Sequence, residues 1–269
     1  MTVQQEFAAL HHGERPFVLP NAWDVASGLL LQEAGFPAVA TTSLGVNAVA
    51  GLPDASGGGR EVAMNLGRTL AGRLRVPVTV DFEGGYSDDP AAVAALARDL
   101  ADAGVAGLNL EDGLPGGGLR PASHHAAVIA AVVAAAPGLF VNARTDTYWL
   151  QTPEPPPERL GETLRRVEAY RDAGAHGVFV PGLTGHADTA AVAARAGVPL
   201  NVLWQPGTRL ADLAAAGVAR VSTGSALYRA ALGAALRAAA QAREAPDLHA
   251  VPAGPVDYHE VQRLLAAAP

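Results

Sequence analysis

One local unit recurs along this chain and limits what it can fold into. An Ala-rich stretch runs to an Ala-Gly pair, a short β-branched run follows, and a loop ends the unit. It stands as A-G-F-P-A-V-A-T-T-S from Ala34 and as D-A-G-V-A-G-L-N-L-E-D-G from Asp102. It returns as D-A-G-A-H-G-V-F-V-P-G from Asp172, A-G-V-P-L-N-V-L-W-Q from Ala196 and A-A-G-V-A-R-V-S-T-G from Ala215. Glycine suits the position just past a helix because it takes a left-handed conformation cheaply. A β-branched run straight afterwards reads as a buried parallel strand.

Counting every such run gives about eight, the number in a (β/α)8 barrel. They are Phe17–Pro20, Ala38–Thr41, Val78–Asp81, Gly107–Leu110, Leu139–Asn142, Gly177–Val180, Leu200–Val202 and Arg220–Ser222. Helical patterns lie between most of them, at Val25–Glu33, Glu61–Arg73, Ala91–Ala103, Ala122–Ala135, Glu158–Ala173 and Ala187–Ala196. The sequence therefore predicts an α/β fold, a (β/α)8 TIM-type barrel over residues 1–245. A doubly wound sheet is the alternative, though it usually has fewer strands at this length. Residues 246–269 are Pro-rich and then amphipathic (V-D-Y-H-E-V-Q-R-L-L), which predicts an additional C-terminal helix, capping the barrel or exchanged with another subunit.

In such a barrel the chemistry sits at the C-terminal ends of the strands. The run V-T-V-D-F-E-G-G-Y ends in Asp81, with Glu83 two residues on. Two carboxylates there stand out, because only 17% of the chain is charged. Other strand ends bring T-T-S-L-G (Thr41–Gly45), Glu111-Asp112, N-A-R-T-D (Asn142–Asp146) and Asn201. Crowded carboxylates repel, and a divalent cation relieves this. The chain has no cysteine, and its acids are hard oxygen donors, so Mg²⁺ or Mn²⁺ suits them better than Zn²⁺. Arg144 would clamp a substrate carboxylate or phosphonate by two points. The backbone N–H groups of Ser43, Leu44 and Gly45 would hold a second carboxylate. That combination describes a site for a 2-oxo acid dianion.

Each residue also has a structural reading. Asp88 and Asp89, before Pro90, suit helix caps. Asp112 could cap or ligate, and Arg144 could pair with Asp146. His124 and His125 would point about 100° apart on a helix, poor geometry for a shared metal. The glycines at 57–59 and 116–118 lack the Gly-Lys-Ser/Thr of a phosphate loop. G-L-P-G-G-G-L-R, directly after Asp112, is placed to be a lid.

The net charge of −7 argues against a nucleic-acid partner. The absence of cysteine excludes disulfides, thiolate metal sites and cysteine nucleophiles. The N-terminus shows no signal pattern and no apolar run approaches a membrane span, so a soluble, cytoplasmic protein is expected.

These segments, in order, resemble the isocitrate lyase/phosphoenolpyruvate mutase superfamily: P-N-A-W-D-V-A-S, A-V-A-T-T-S-L-G-V, G-L-P-D, V-D-F-E-G-G-Y, G-L-N-L-E-D-G, N-A-R-T-D and A-G-A-H-G-V-F-V-P-G-L. The resemblance runs from about residue 15 to 230. It implies a (β/α)8 barrel, Mg²⁺, a 2-oxo-acid substrate, an enolate-type intermediate and a homotetramer that often exchanges a C-terminal helix. Carried over by motif, Asp81 corresponds to the direct metal ligand, with Glu83, Glu111 and Asp54 as water-bridged ligands. Arg144 and the Ser43–Gly45 turn correspond to the substrate anion clamps, and Trp23, in P-N-A-W-D, joins the substrate-binding set with Asn201.

The departures fall elsewhere. The family's D-x-D-T-G-Y-G stands here as D-F-E-G-G-Y-S, and the lyase lid K-K-C-G-H is replaced by Gly113–Arg120, without Cys or Lys. The lyases' V-E-G is Val180-Pro181-Gly182. The expectation is a Mg²⁺-dependent, lyase-type enzyme acting on a small 2-oxo (di)carboxylate such as oxaloacetate, by C–C cleavage or decarboxylation, with Asp81, Glu111 and Arg144 as catalytic residues. The alternatives are C–P bond chemistry, a 2-oxo-acid binding protein with 2-oxoglutarate as a plausible ligand, and a pyruvate-type aldolase.

Overall fold

The computed structural model describes residues 1–152, 156–244 and 256–266. Nine parallel strand segments alternate with helices. The strands are β1 (Phe17–Leu19), β2 (Asn21–Ala22), β3 (Val39–Thr41), β4 (Val78–Asp81), β5 (Gly107–Glu111), β6 (Phe140–Arg144), β7 (Gly177–Phe179), β8 (Leu200–Leu203) and β9 (Val218–Ser222). Their order in the sheet is β1-β9-β8-β7-β6-β5-β4-β3-β2. Only Pro20, which has no N–H to donate, separates β1 from β2. Phe17 on β1 pairs with Arg220, and Ala22 on β2 pairs with Thr41. The two segments are thus one strand with a neighbour on each side, and the sheet closes into an eight-stranded barrel. That closure excludes the doubly wound alternative.

The recurring glycines act as the sequence suggests. Gly104 and Gly174 end helices with φ of 90° and 96°, and a buried strand follows each. The helices are α1 (Val3–Ala9), α2 (Val25–Glu33), α3 (Ser43–Val49), α4 (Arg60–Arg73), α5 (Pro90–Asp102), α6 (Ala122–Ala135), α7 (Pro156–Asp172), α8 (His186–Ala196), α9 (Leu210–Ala215), α10 (Ala226–Glu244) and α11 (Tyr258–Ala266). Of these, α1, α3, α9 and α10 carry no helical pattern that the sequence reading picked out. The Ser43–Gly45 turn is in fact the first turn of α3.

Helix α1 closes the N-terminal end of the barrel. Thr2 and Gln5 form a capping box at its start. Its Phe7 is fully buried and meets Phe140, the first residue of β6, edge to face at 5.4 Å. His11 stacks on the same ring at 4.1 Å.

Helix α11 lies against α2 and buries Leu264. Arg73 Nη2 donates to the Leu265 carbonyl at 2.7 Å. The rest of the Pro-rich extension, residues 245–255, falls outside the described residues. No helix among the described residues is long and apolar enough to cross a membrane.

Candidate active site at the carboxyl end of the barrel

The C-terminal strand ends open into a cavity of about 620 Å³. Asp54, Asp81, Glu83, Glu111 and Arg144 line it, with Ser43, Leu44 and Asp146. Asp81 ends β4, and its Oδ2 accepts the Ser43 N–H at 2.9 Å. Its own N–H donates to Thr41 Oγ1 at 2.9 Å, which ties β3 to β4 beneath the site. Glu83 follows with φ of 47°, a left-handed conformation unusual for a residue with a side chain. Its Oε1 accepts Asn47 Nδ2 at 3.1 Å and the Tyr86 hydroxyl at 3.5 Å. Such strain is held only where the surroundings over-determine it, and it collects at functional sites.

Burial raises the pKa of Glu83, and the charges of Asp81 and Asp54 raise it further, against the Asn47 hydrogen bond. Asp54 stands at the rim. Partial desolvation and Asp81 raise it, while a hydrogen bond from Ser43 opposes the rise. Burial likewise pushes Glu111 up, opposed by Arg144 and aided by Asp146, Asp81 and Glu83. The acids therefore repel one another across one mouth.

Arg144 answers part of that repulsion. Its Nη1 lies 2.7 Å from Glu111 Oε2, its Nε donates to Asp146 Oδ1 at 2.6 Å, and its Nη2 reaches Asp146 Oδ2 at 3.2 Å. Burial disfavours the charge, but Glu111, Asp146 and Asp81 outweigh it and hold the guanidinium protonated. A guanidinium carries five N–H donors, so two remain for a ligand. Arg144 is thus Asp146's ion-pair partner, as one reading had it, and it lines the cavity.

Asp112 does not reach the cavity. It is fully buried, and its Oδ1 accepts the Asp146 N–H at 2.9 Å. Its Oδ2 takes Tyr170 OH at 2.6 Å and Arg166 Nη1 at 2.9 Å. It positions the strand that carries Arg144. Three other residues from the sequence reading also lie outside the lining. Trp23 meets Tyr228 of α10 at 5.5 Å, edge to face. Gly45 gives Trp23 room, because a Cβ there would come within 2.8 Å of the Trp23 Cβ. Asn201 bonds Ser222 Oγ at 3.2 Å, and Ser222 is the one of the two that lines the cavity. Asp89 caps α5 through the Ala91 N–H at 3.0 Å, but Asp88 pairs with Arg120 instead. His125 is buried against Tyr170, with Nε2 at 3.2 Å from the Leu110 carbonyl.

Several site residues escaped the sequence reading. Arg120 is buried and lines the cavity, with Nη1 on the Gly84 carbonyl at 3.0 Å and Nη2 on Asp88 at 3.1 Å. It ties down one end of Gly113–Arg120. That segment is a small hairpin, with a Gly113–Leu119 bridge and the Leu114 N–H donating to Gly118 at 3.0 Å. A side chain at Gly113 would collide with the Asp146 carboxylate. Below the floor, Arg220 is fully buried, and no carboxylate pairs with it among the described residues. Burial lowers its pKa to about 9. Its Nη2 donates to Asn109 Oδ1 at 2.8 Å, which Asn142 Nδ2 also reaches at 2.8 Å. Asn109 lines the cavity with its NH2 left over.

Among the described residues no three acidic or imidazole side chains form a ready-made metal cage. Mg²⁺ needs none, since it keeps several waters and takes one or two carboxylates. Asp81, with Oδ1 unengaged and repelling neighbours in Glu83, Asp54 and Glu111, is a donor set that fits such an ion.

This geometry can be set beside known proteins. An uncharacterized protein of Mycobacterium tuberculosis is 43% identical over 259 residues, covering 96% of this chain and 95% of that protein. The 2-methylisocitrate lyase of Bacillus subtilis is 32% identical over 190 residues, 68% of this chain and 60% of the lyase. A phosphonopyruvate hydrolase solved with oxalate and Mg²⁺ shares the fold, with a TM-score of 0.85 at 24% identity over 98% of this chain and 95% of that one. A family model described as phosphoenolpyruvate phosphomutase matches residues 7–243. With the barrel and its acidic mouth, that match places the chain in the phosphoenolpyruvate phosphomutase family, within the isocitrate lyase/phosphoenolpyruvate mutase superfamily.

Proposed function

We propose that this protein is a Mg²⁺-dependent (or Mn²⁺-dependent), lyase-type enzyme acting on a small 2-oxo (di)carboxylate, oxaloacetate or a relative. The observation that carries the reading is the convergence of Asp54, Asp81, Glu83 and Glu111 with Arg144 on one mouth. Asp81 would hold the ion directly, with Glu83, Glu111 and Asp54 reaching it through water. When bound, the ion polarises the keto oxygen and offsets the charge that builds there. Arg144 holds a substrate carboxylate through its two remaining N–H groups, and the amide of Leu44, which lines the cavity, serves a second anionic end. The unpaired charge of Arg220 below the floor, relayed through Asn109, favours the same anionic head. Cleavage of the bond between C3, the carbon next to the keto carbon, and C4 leaves its electron pair on C3, so the 2-oxo fragment becomes an enolate and C4 departs as CO₂ or as a carbonyl fragment. Decarboxylation suits this site, because CO₂ departs without a proton and the Gly113–Arg120 hairpin offers no acid.

The same head site could serve C–P chemistry, the reading favoured by the family description. NMR separates them. Oxaloacetate, phosphonopyruvate, methylisocitrate and 2-oxoglutarate are incubated with protein in Mg²⁺ or in EDTA, beside an Asp81→Ala variant. Metal-dependent loss of a 2-oxo dicarboxylate, absent in the variant, is expected. Loss of phosphonopyruvate alone would move the assignment to C–P cleavage. Ligand binding with no turnover of any compound would replace the enzyme by a binding protein.

We also propose a homotetramer. No residue of the 19-residue α10 is buried, and its Leu232 and Leu236 face outward.

A further inference from the structure

The polar head site fills only one side of the cavity. Its charged residues come from β4, β5 and β6 and from the segment after α3. In the ring of eight strands, β8 lies opposite β4. The lining from β7 and β8 is Phe179, Pro181 and Leu203, and the loop after β6 adds Trp149 and Leu150. Among the described lining residues, β7 and β8 contribute no charged or hydrogen-bonding side chain.

This wall is built, with neighbours that fix it. Gly224 leaves the space Leu203 occupies, since a Cβ there would come within 2.8 Å of Leu203 Cδ1. Gly182, just past Pro181, lies against the Tyr148 carbonyl, where a Cβ would stand 2.9 Å away. The β7 end and the Trp149 loop are therefore held together. The Arg144 guanidinium sits 5.6 Å from the Phe179 ring centroid, so the anion clamp borders the apolar wall directly. Trp149 is 56% exposed at the mouth, a large apolar surface that a ligand tail would cover. A cavity of about 620 Å³ also exceeds what a three- or four-carbon acid fills. Such volumes take ligands of drug size, roughly 300–1,000 Å³.

We infer that the substrate carries, beside the anionic 2-oxo (di)carboxylate head, an apolar tail of several carbons, the tail lying along Phe179, Pro181, Leu203 and Trp149. This rests on the head-site reading above and narrows its substrate class. A carboxylate at the far end of the tail would lose its water against Phe179, Pro181 and Leu203, whose side chains carry no donor to replace it. Arg229, exposed, also lines the cavity.

Calorimetric titration in Mg²⁺ tests it, with pyruvate, 2-oxobutanoate, 2-oxopentanoate and 2-oxohexanoate, and with 2-oxoglutarate as the charged-tail control. Affinity is expected to rise about three- to fourfold per added methylene. 2-Oxoglutarate is expected to bind more weakly than 2-oxopentanoate. In Trp149→Ala and Leu203→Asn the ratio of 2-oxohexanoate to pyruvate affinity falls toward one. Trp149 is exposed, so its variant keeps the fold even if the other does not. Equal affinities along the series, or tighter binding of 2-oxoglutarate, would overturn the tail assignment and leave the head site standing. Failure of every 2-oxo acid to bind would overturn both.

Discussion

At the scale of single residues, the site depends on charges that balance only in place. Arg144 stands between Glu111 and Asp146, all three largely buried. Removing one partner of a buried ion pair strands the others. Arg144→Met is expected to cost about 3–5 kcal/mol of stability, read by urea unfolding. Arg144→Lys keeps the charge but not the planar fork. It is expected to retain most of the stability while losing the affinity for 2-oxo acids, so equal losses in both readouts would count against the clamp.

A second residue-scale effect concerns protons. Burial lowers His125 from 6.5 to about 4, and His11 from 6.5 to about 3. The folded chain keeps both neutral while the unfolded chain protonates them. Their contribution is therefore whole above pH 6.5 and falls as pH drops toward 4, by on the order of 1 kcal/mol per pH unit for each. His125→Gln is expected to flatten the acid side of the stability–pH curve. An unchanged slope would show that His125 is not held neutral.

At the scale of elements, the hairpin over the mouth is fastened rather than loose. Gly113–Arg120 closes on itself, and Arg120 anchors it to Gly84 and Asp88. Arg120→Met removes that anchor. Faster amide exchange at Leu114–Leu119, with the strands unchanged, is the expected result, and unaltered exchange there would reassign the anchor. The sequence foretold this segment's place but not its fastening. The Arg120–Gly84 contact joins residues 36 apart, and no local pattern encodes it. The same holds for Asn47 on Glu83, also 36 apart. Helix α3 escaped notice for another reason: S-L-G-V-N-A-V has a glycine and two β-branched residues, weak helix formers that tertiary packing overrides.

At the scale of the molecule, the barrel was readable because five of its strands are announced by the same Ala-Gly pair after a helix. The acids at strand ends were readable because closure puts all those ends on one face. The separation of that face into a charged arc and an apolar arc was not. It emerges only when ring closure sets β7 and β8 across from β4. The outer surface carries its own expectation. If α10 is covered by another copy, Leu236→Glu should shift the mass in solution from tetramer to smaller species, measured by light scattering. A wild-type chain that is monomeric would remove the assembly from the proposal.

The proposed divalent-cation site at the β4 end is what everything chemical here depends on, and Mn²⁺ reports on it without turnover. Electron paramagnetic resonance of free Mn²⁺, titrated with protein, counts the bound ions. One Mn²⁺ per chain, displaced by Mg²⁺ and lost in a folded Asp81→Ala variant, is the expected result. No bound Mn²⁺, or binding that survives Asp81→Ala unchanged, would contradict the site.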